Sequence, residues 1–164
     1  MITQEELKKY LRYDTDTGFF IWRIKPSVQV SEGNVAGTLM NRGYIHIGVL
    51  GKAYRAHRLA FLYMTGAWPK EQVDHINGNR IDNRWCNLRE ATQTENQFNV
   101  AIRKDNTSGY KGVSLHKRTG KWAARCGINN KDKWLGIFDT PELAAKAYQE
   151  FAKKHHKQFY RTIR

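Results

Sequence analysis

The sequence predicts an α+β chain built from two small modules. Residues 73–99 read as strand, polar loop and helix, with Asn77-Gly78 as a turn after the strand and a Thr92-x-x-Glu95 capping pattern before the helix. From Tyr110 the apolar residues alternate along three successive stretches and then fall at helical spacing, the pattern of an antiparallel sheet packed on one helix. Charge divides the chain at the same place: residues 101–164 hold 15 Lys and Arg against 5 Asp and Glu, whereas residues 1–100 hold 13 against 10. The polar stretch 101–109, ended by Gly109, is read as a linker between modules 1–100 and 110–164.

A chain of 164 residues with 40% hydrophobic and 12% aromatic content can fill one or two packed cores. No apolar run approaches the roughly 18 residues of a membrane helix. The opening Met-Ile-Thr-Gln-Glu-Glu lacks the basic and apolar regions of a secretion signal. Two cysteines without pairing context suit a reducing compartment, so a cytoplasmic protein with no membrane partner is expected. The net charge of +13, concentrated beyond residue 100, indicates a nucleic-acid-binding module at that end.

Taken in order, Thr3-Gln-Glu-Glu6 is a capping box, and Leu7 with Leu11 gives a short amphipathic helix. Asp14–Gly18 begins like a calcium loop but lacks the closing Glu, so it reads as a turn. Phe19–Trp22 is a strand, residues 25–43 are loop, and Tyr44–Leu50 is a second strand turned back by Gly51-Lys52. Residues 55–65 form a helix stopped by Gly66, with Leu59, Leu62 and Tyr63 on one face. In that helix Arg58 is a candidate phosphate contact and His57 a candidate support for the site. The ordinary alternative is a surface arginine and a core histidine.

The chemistry is concentrated in residues 73–99. Val73–Ile76 is the strand, and Asn96 lies in the first turns of the helix that Thr92 caps. This order can bring Asp74, His75 and Asn96 into one pocket. Asp74 and Asn96 are hard oxygen donors suited to Mg²⁺ or Mn²⁺, with water and substrate phosphate completing the shell. Neutral His75 can take a proton from water near pH 7. Metal, base and phosphate together give phosphodiester hydrolysis. A lone Asp-His pair would ordinarily be a polar loop with a core histidine. The ordered series Asn77-Gly78, Asp82-Asn83, Asn87-Leu88-Arg89 and Glu95-Asn96 favours a site.

This stretch resembles the HNH nuclease motif, in the variant with Asn in place of the last His, as in the HNH homing endonucleases of phages and group I introns. The resemblance implies a ββα-metal module in which Asp74 and Asn96 hold the metal, His75 is the general base, and Asn87 fixes the loop that orients it. It further implies one Mg²⁺ or Mn²⁺ per active site. Cys86 and Cys126 lack the paired Cys-x-x-Cys motifs of zinc-bearing HNH proteins, so structural zinc is not expected.

In the second module Val113 and Leu115 alternate with Ser114 and His116, and Trp122, Ala124, Cys126 and Ile128 with Lys121, Ala123, Arg125 and Gly127. Lys133–Phe138 makes a third strand. Asp139-Thr-Pro-Glu142 starts a helix whose Leu143, Ala144, Ala147, Tyr148 and Phe151 should face the sheet. The segment resembles the plant ethylene-response-factor (AP-two type) DNA-binding domain at Tyr110-Lys-Gly-Val113, Gly120–Ala124, Trp134–Asp139 and Ala144–Tyr148. The resemblance implies a sheet that enters the DNA major groove, with Lys111, Ser114, His116, Arg125 and Trp134 on the DNA face. Lys111 and Ser114 stand where that family usually has Arg, Arg125 where it has Glu, and Gly127 where it has Arg, so its sequence specificity does not transfer. In the linker, Arg103 and Lys104 are candidates for tracking the DNA backbone.

The function expected from sequence is therefore a site-specific, divalent-metal-dependent HNH endonuclease of the homing type. It would act on double-stranded DNA as a monomer in a bacterial host cell, nicking one strand, because one Asp-His…Asn…Asn set serves one phosphodiester. The alternative is a non-catalytic, sequence-specific DNA-binding regulator with a nuclease-like fold, against which the intact Asp74, His75 and Asn96 count.

Overall fold

In a computed structural model, which describes residues 1–99, 102, 105–128 and 131–156, the chain divides into two units, Met1–Ala91 and Thr92–Arg164. The first begins with helix α1 (Gln4–Tyr10), set by the capping box: Thr3 Oγ1 accepts from the Glu6 N–H, and Glu6 Oε2 accepts from the Thr3 N–H. Leu7 is fully buried. Leu11, expected on the same helix, instead opens strand β1 (Leu11–Tyr13) and is just as buried. β1 pairs antiparallel with β2 (Phe20–Trp22). The turn between them is held from inside, since Asp14 Oδ1 accepts the N–H groups of Asp16 and Thr17.

Residues 25–43 are not all loop. β3 (Val35–Ala36) adds to β2, and β4 (Thr38–Leu39) starts a second sheet with β5 (Ile45–Val49) and β6 (Lys52–Arg55). Two-residue strands carry no readable period; they exist because a neighbouring strand offers its edge. Helix α2 (Ala56–Thr65) follows, and Gly66 closes it by donating to Leu62 O. Its buried face, Ala56, Leu59, Ala60, Phe61 and Leu62, packs into one core with Leu7, Leu11, Phe20, Ile47 and Val49. Each large apolar side chain so buried stabilises the unit by about 1.5–3 kcal/mol. The last strands of the unit are β7 (Gln72–His75) and β8 (Leu88–Ala91), an antiparallel pair. β8 and a short 3-10 turn, Trp85–Asn87, occupy what the residue pattern alone suggested was a polar loop; β8 is the second strand that the ββα resemblance implied.

The second unit opens with α3 (Gln93–Phe98), capped reciprocally by Thr92 and Glu95. β9 (Val113–His116), β10 (Lys121–Ile128) and β11 (Lys131–Phe138) form a sheet in the order β11-β10-β9, and α4 (Pro141–His156) lies on it. The helix face toward the sheet is Ala144, Ala145, Tyr148 and Ala152; Leu143, expected there, is 50% exposed. Alanines let the helix approach closely, which rotates the bulkier Leu143 outward. The approach is tight enough that a Cβ on Gly112 would meet the Tyr148 ring and, at 2.5 Å, Arg125 O. Ala123, on the face opposite the core by alternation, is also buried, its one methyl covered between Ser114 and Ile137 on the adjoining strands. Among the described residues no helix is long and apolar enough to cross a membrane. The α+β class agrees with the sequence reading; the two units meet at Ala91 and Thr92, ahead of α3, rather than in the stretch 101–109.

Candidate active site

β7 carries Val73, Asp74 and His75 in succession, all buried. Successive strand residues point to opposite faces, so burying both Asp74 and His75 needs cover on two sides. On one side the hairpin register sets Arg89 of β8 opposite Asp74. Its Nε and Nη2 both donate to Asp74 Oδ2, at 2.9 and 2.7 Å. The pair is largely withdrawn from water, so the two charge-assisted bonds fix the carboxylate's orientation firmly.

The loop between the strands covers His75. His75 Nε2 lies 3.1 Å from Asn83 Oδ1. The Asn83 Nδ2 donates to Ile81 O, so Oδ1 is the amide atom facing the ring and Nε2–H is the donor. Burial lowers the His75 pKa below its ordinary value; the Asn83 bond and the carboxylates of Asp74 and Asp82 work against that, and Arg80 adds to it. The ring is thus neutral at pH 7, the form that accepts a proton. His57 of α2 stands edge-on to it, with ring centroids 5.0 Å apart. His57 is buried, and chiefly by that burial its pKa is pushed down to about 3.

Asn87 braces the loop from within. Its Oδ1 accepts the Asn77 N–H at 2.9 Å, and its Nδ2 donates to Asn77 Oδ1 and, at 2.7 Å, to Asp82 O. Arg84 holds Asp82 in turn, its Nε and Nη2 binding one carboxylate oxygen each, which with the Asn77 amide holds that carboxyl down to about 2. The N-terminal hairpin grips the loop from outside: the Tyr13 hydroxyl donates to Asn83 O at 2.6 Å, and the Trp85 N–H donates to Thr15 O. Gly18 closes this contact, since a Cβ there would press on Arg84 N and lie 2.5 Å from Asn83 C.

Asp74, His75 and Asn87 therefore share one hairpin in the first unit. Asn96 lies on α3 in the second unit and is half-buried. Arg58 donates to the carbonyls of Glu71 and Pro69 and lies over the Trp68 ring, bracing the segment that leads into β7. In the second unit His116, Arg125 and Trp134 meet: the Arg125 guanidinium is 5.0 Å over the Trp134 ring and the His116 ring 6.2 Å from it. Ser114 is exposed on β9 and Lys111 half-buried just before it. Arg103 and Lys104 fall outside the described residues. The sequence reading did not single out Asn83 as the partner of His75 or Arg89 as the partner of Asp74.

The donor set fits a divalent ion of the magnesium type. Asp74 is a hard oxygen donor held in one orientation. Among the described residues no three of His, Cys, Asp and Glu gather into a cage; one carboxylate together with waters and phosphate oxygens is a shell that magnesium accepts.

A family model described as HNH endonuclease matches residues 54–98, and one described as AP2 domain matches residues 108–158. Protein 3.8 of Escherichia phage T7 is 34% identical over 111 residues, covering 67% of this chain and 91% of the phage protein. The AP2-like ethylene-responsive transcription factor PLT2 of Arabidopsis thaliana is 34% identical over 111 residues, 63% of this chain, but the chain spans only 19% of that factor. Among solved structures, one of DNA binding and cleavage by the HNH homing endonuclease I-HmuI aligns with 84% of this chain and 76% of its own at 20% identity and a TM-score of 0.43.

Proposed function

The chain belongs to the HNH endonuclease family and carries an AP2 domain, and on that premise we propose that it is a site-specific, divalent-metal-dependent DNA endonuclease of the homing type that nicks one strand. The observation that carries this reading is the buried, neutral His75 beside an Asp74 carboxylate held in one orientation. With the Nε2 proton donated to Asn83, Nδ1 is the atom that takes a proton from water, and the hydroxide so formed attacks phosphorus in line with the leaving 3′ oxygen. Asn87 keeps the loop closed so that Asn83 stays in register with the ring. Arg89 keeps Asp74 from turning away. Magnesium or manganese, when bound, stabilises the negative charge that builds on the phosphate and the leaving oxygen. Asp74 and Asn96 are the residues we assign to hold it, Asn96 on the strength of its place in the motif.

The second module supplies DNA affinity in this reading, with Lys111, Ser114, His116, Arg125 and Trp134 as its contacts; Arg103 and Lys104 are assigned to the DNA backbone from the sequence alone. One such site per chain, beside a reader unlike it, suits a monomer on an asymmetric target. The test is a supercoiled plasmid bearing the target, at limiting protein. Open circles should accumulate first with Mg²⁺ or Mn²⁺, stop with a chelator, and vanish in His75→Ala, which should still bind the DNA. Cutting that survives chelation would remove the metal requirement. Linear product without an open-circle intermediate would point to paired sites. Binding without any cutting would favour the DNA-binding regulator.

A further inference from the structure

Tyr44, just before β5, is half-buried, and two guanidinium groups lie over its ring: Arg55 from the end of β6 and Arg80 from the loop after β7, each 4.9 Å from the centroid. The same ring stands 5.1 Å from His57 and 6.1 Å from His75. Three segments distant in sequence thus put two cations on one aromatic platform at the edge of the base. No motif marks this, because the residues share no local spacing.

Both arginines are exposed, and among the described residues neither has a carboxylate partner; the ion pairs there join Arg84 to Asp82, Arg89 to Asp74 and Lys121 to Asp139. Arg80 is steadied by donation from Nη1 to Arg42 O, 2.9 Å away. Two like charges on one ring repel each other, and each cation–π contact returns only about 0.5–1 kcal/mol at an exposed position. An anion beside the ring would be attracted by both guanidinium groups. A guanidinium presents its N–H groups in a planar fork that matches phosphate oxygens. The arginine that the sequence suggested for this task, Arg58, has both Nη groups on backbone carbonyls.

We propose that Arg55 and Arg80, held on the Tyr44 ring, form a clamp for a DNA backbone phosphate beside the one that His75 serves. This rests on the nuclease reading, which supplies the polyanion and the reason to hold the strand here. The clamp draws the strand against β5 and β6, and the field of Arg80 reaches His75 itself.

The test is binding of the full chain to a labelled DNA duplex in a chelator, so that cutting does not compete, across a range of salt. Each released phosphate contact removes about 0.9 from the slope of log K against log salt. Because both groups serve one phosphate, the double variant Arg55→Gln/Arg80→Gln should lower the slope by about that amount and weaken binding at 0.1 M salt roughly eightfold, and each single variant should fall between it and the wild type. Tyr44→Phe, which keeps the ring, should bind like wild type, and Tyr44→Leu should behave like the double variant. Thermal midpoints of the arginine variants should equal or exceed that of the wild type. An unchanged slope in the double variant overturns the clamp, as does a reduced slope that comes with a lowered midpoint. If the wild type fails to nick plasmid while the slopes fall as expected, the nuclease reading fails and the phosphate contact stands.

Discussion

Gly18→Ala tests whether the N-terminal hairpin holds the loop of the active site. Gly18 has φ +76, a left-handed conformation that costs an L-residue roughly 1–2 kcal/mol. Its added Cβ would press on Arg84 N and Asn83 C, backbone atoms that yield only if the loop moves away. Moving it breaks the bonds from Tyr13 to Asn83 O and from Trp85 to Thr15 O, each contributing about 0.5–1.5 kcal/mol. The total is about 2–5 kcal/mol. Gly33→Ala is the control: φ is similar at +84, but no atom lies within 4 Å, so only the conformational term applies. Urea unfolding of both variants should therefore differ by about 1–3 kcal/mol. The nicking rate of folded Gly18→Ala should fall on the order of a hundredfold, because Asn83 no longer sets His75 and a misplacement near 1 Å costs that much. If Gly18→Ala were no less stable than Gly33→Ala and cut at the wild-type rate, the hairpin would not be holding the loop.

Three further outcomes follow from the geometry. Arg89→Leu takes the guanidinium away from the buried Asp74 carboxylate and should destabilise the chain by about 3–5 kcal/mol in urea unfolding; a smaller cost would mean that other groups or water serve Asp74. His57 has a pKa of about 3 folded and near 6.5 unfolded, so the unfolded state binds the extra proton as pH falls and stability is lost below about pH 6.5. Between pH 7 and pH 5 the wild type should lose about 2 kcal/mol more than His57→Phe, and equal losses would show that His57 is not the group responsible. Cys86 is exposed, whereas Cys126 is buried with its thiol pushed up to about 11. A thiol reagent at pH 8 should therefore label Cys86 quickly, and rapid labelling of Cys126 in the native protein would contradict the packing of Tyr148 and Ala152 around it.

The parts of the site that were legible in the sequence are those fixed by local chemistry. Asn77-Gly78 turns the chain, Thr92 and Glu95 cap α3, and Asp74-His75 announce their chemistry as neighbours. What stayed hidden depends on register or on distant segments. Leu88-Arg-Glu-Ala91 has little β character of its own and becomes a strand only because β7 offers an edge; the Asp74–Arg89 pair then follows. The N-terminal hairpin reads as an ordinary extension, and nothing in Tyr13 or Thr15 says that they touch residues 83 and 85. On α4, apolar periodicity alone gave the wrong edge of the buried face, because the sheet selects the small Ala145 over the larger Leu143.

The bond from Tyr13 to Asn83 spans 70 residues. Closing a loop of that size costs about 4 kcal/mol of chain entropy, a cost met only once both ends have their surroundings. The loop that holds His75 is thus tied to the far end of its unit by a contact that forms only when both ends are in place. A chain frayed at its N-terminus keeps the Asp-His pair but loses this bond. If the proposed nuclease activity holds, such a copy would carry the base without the contact that sets it.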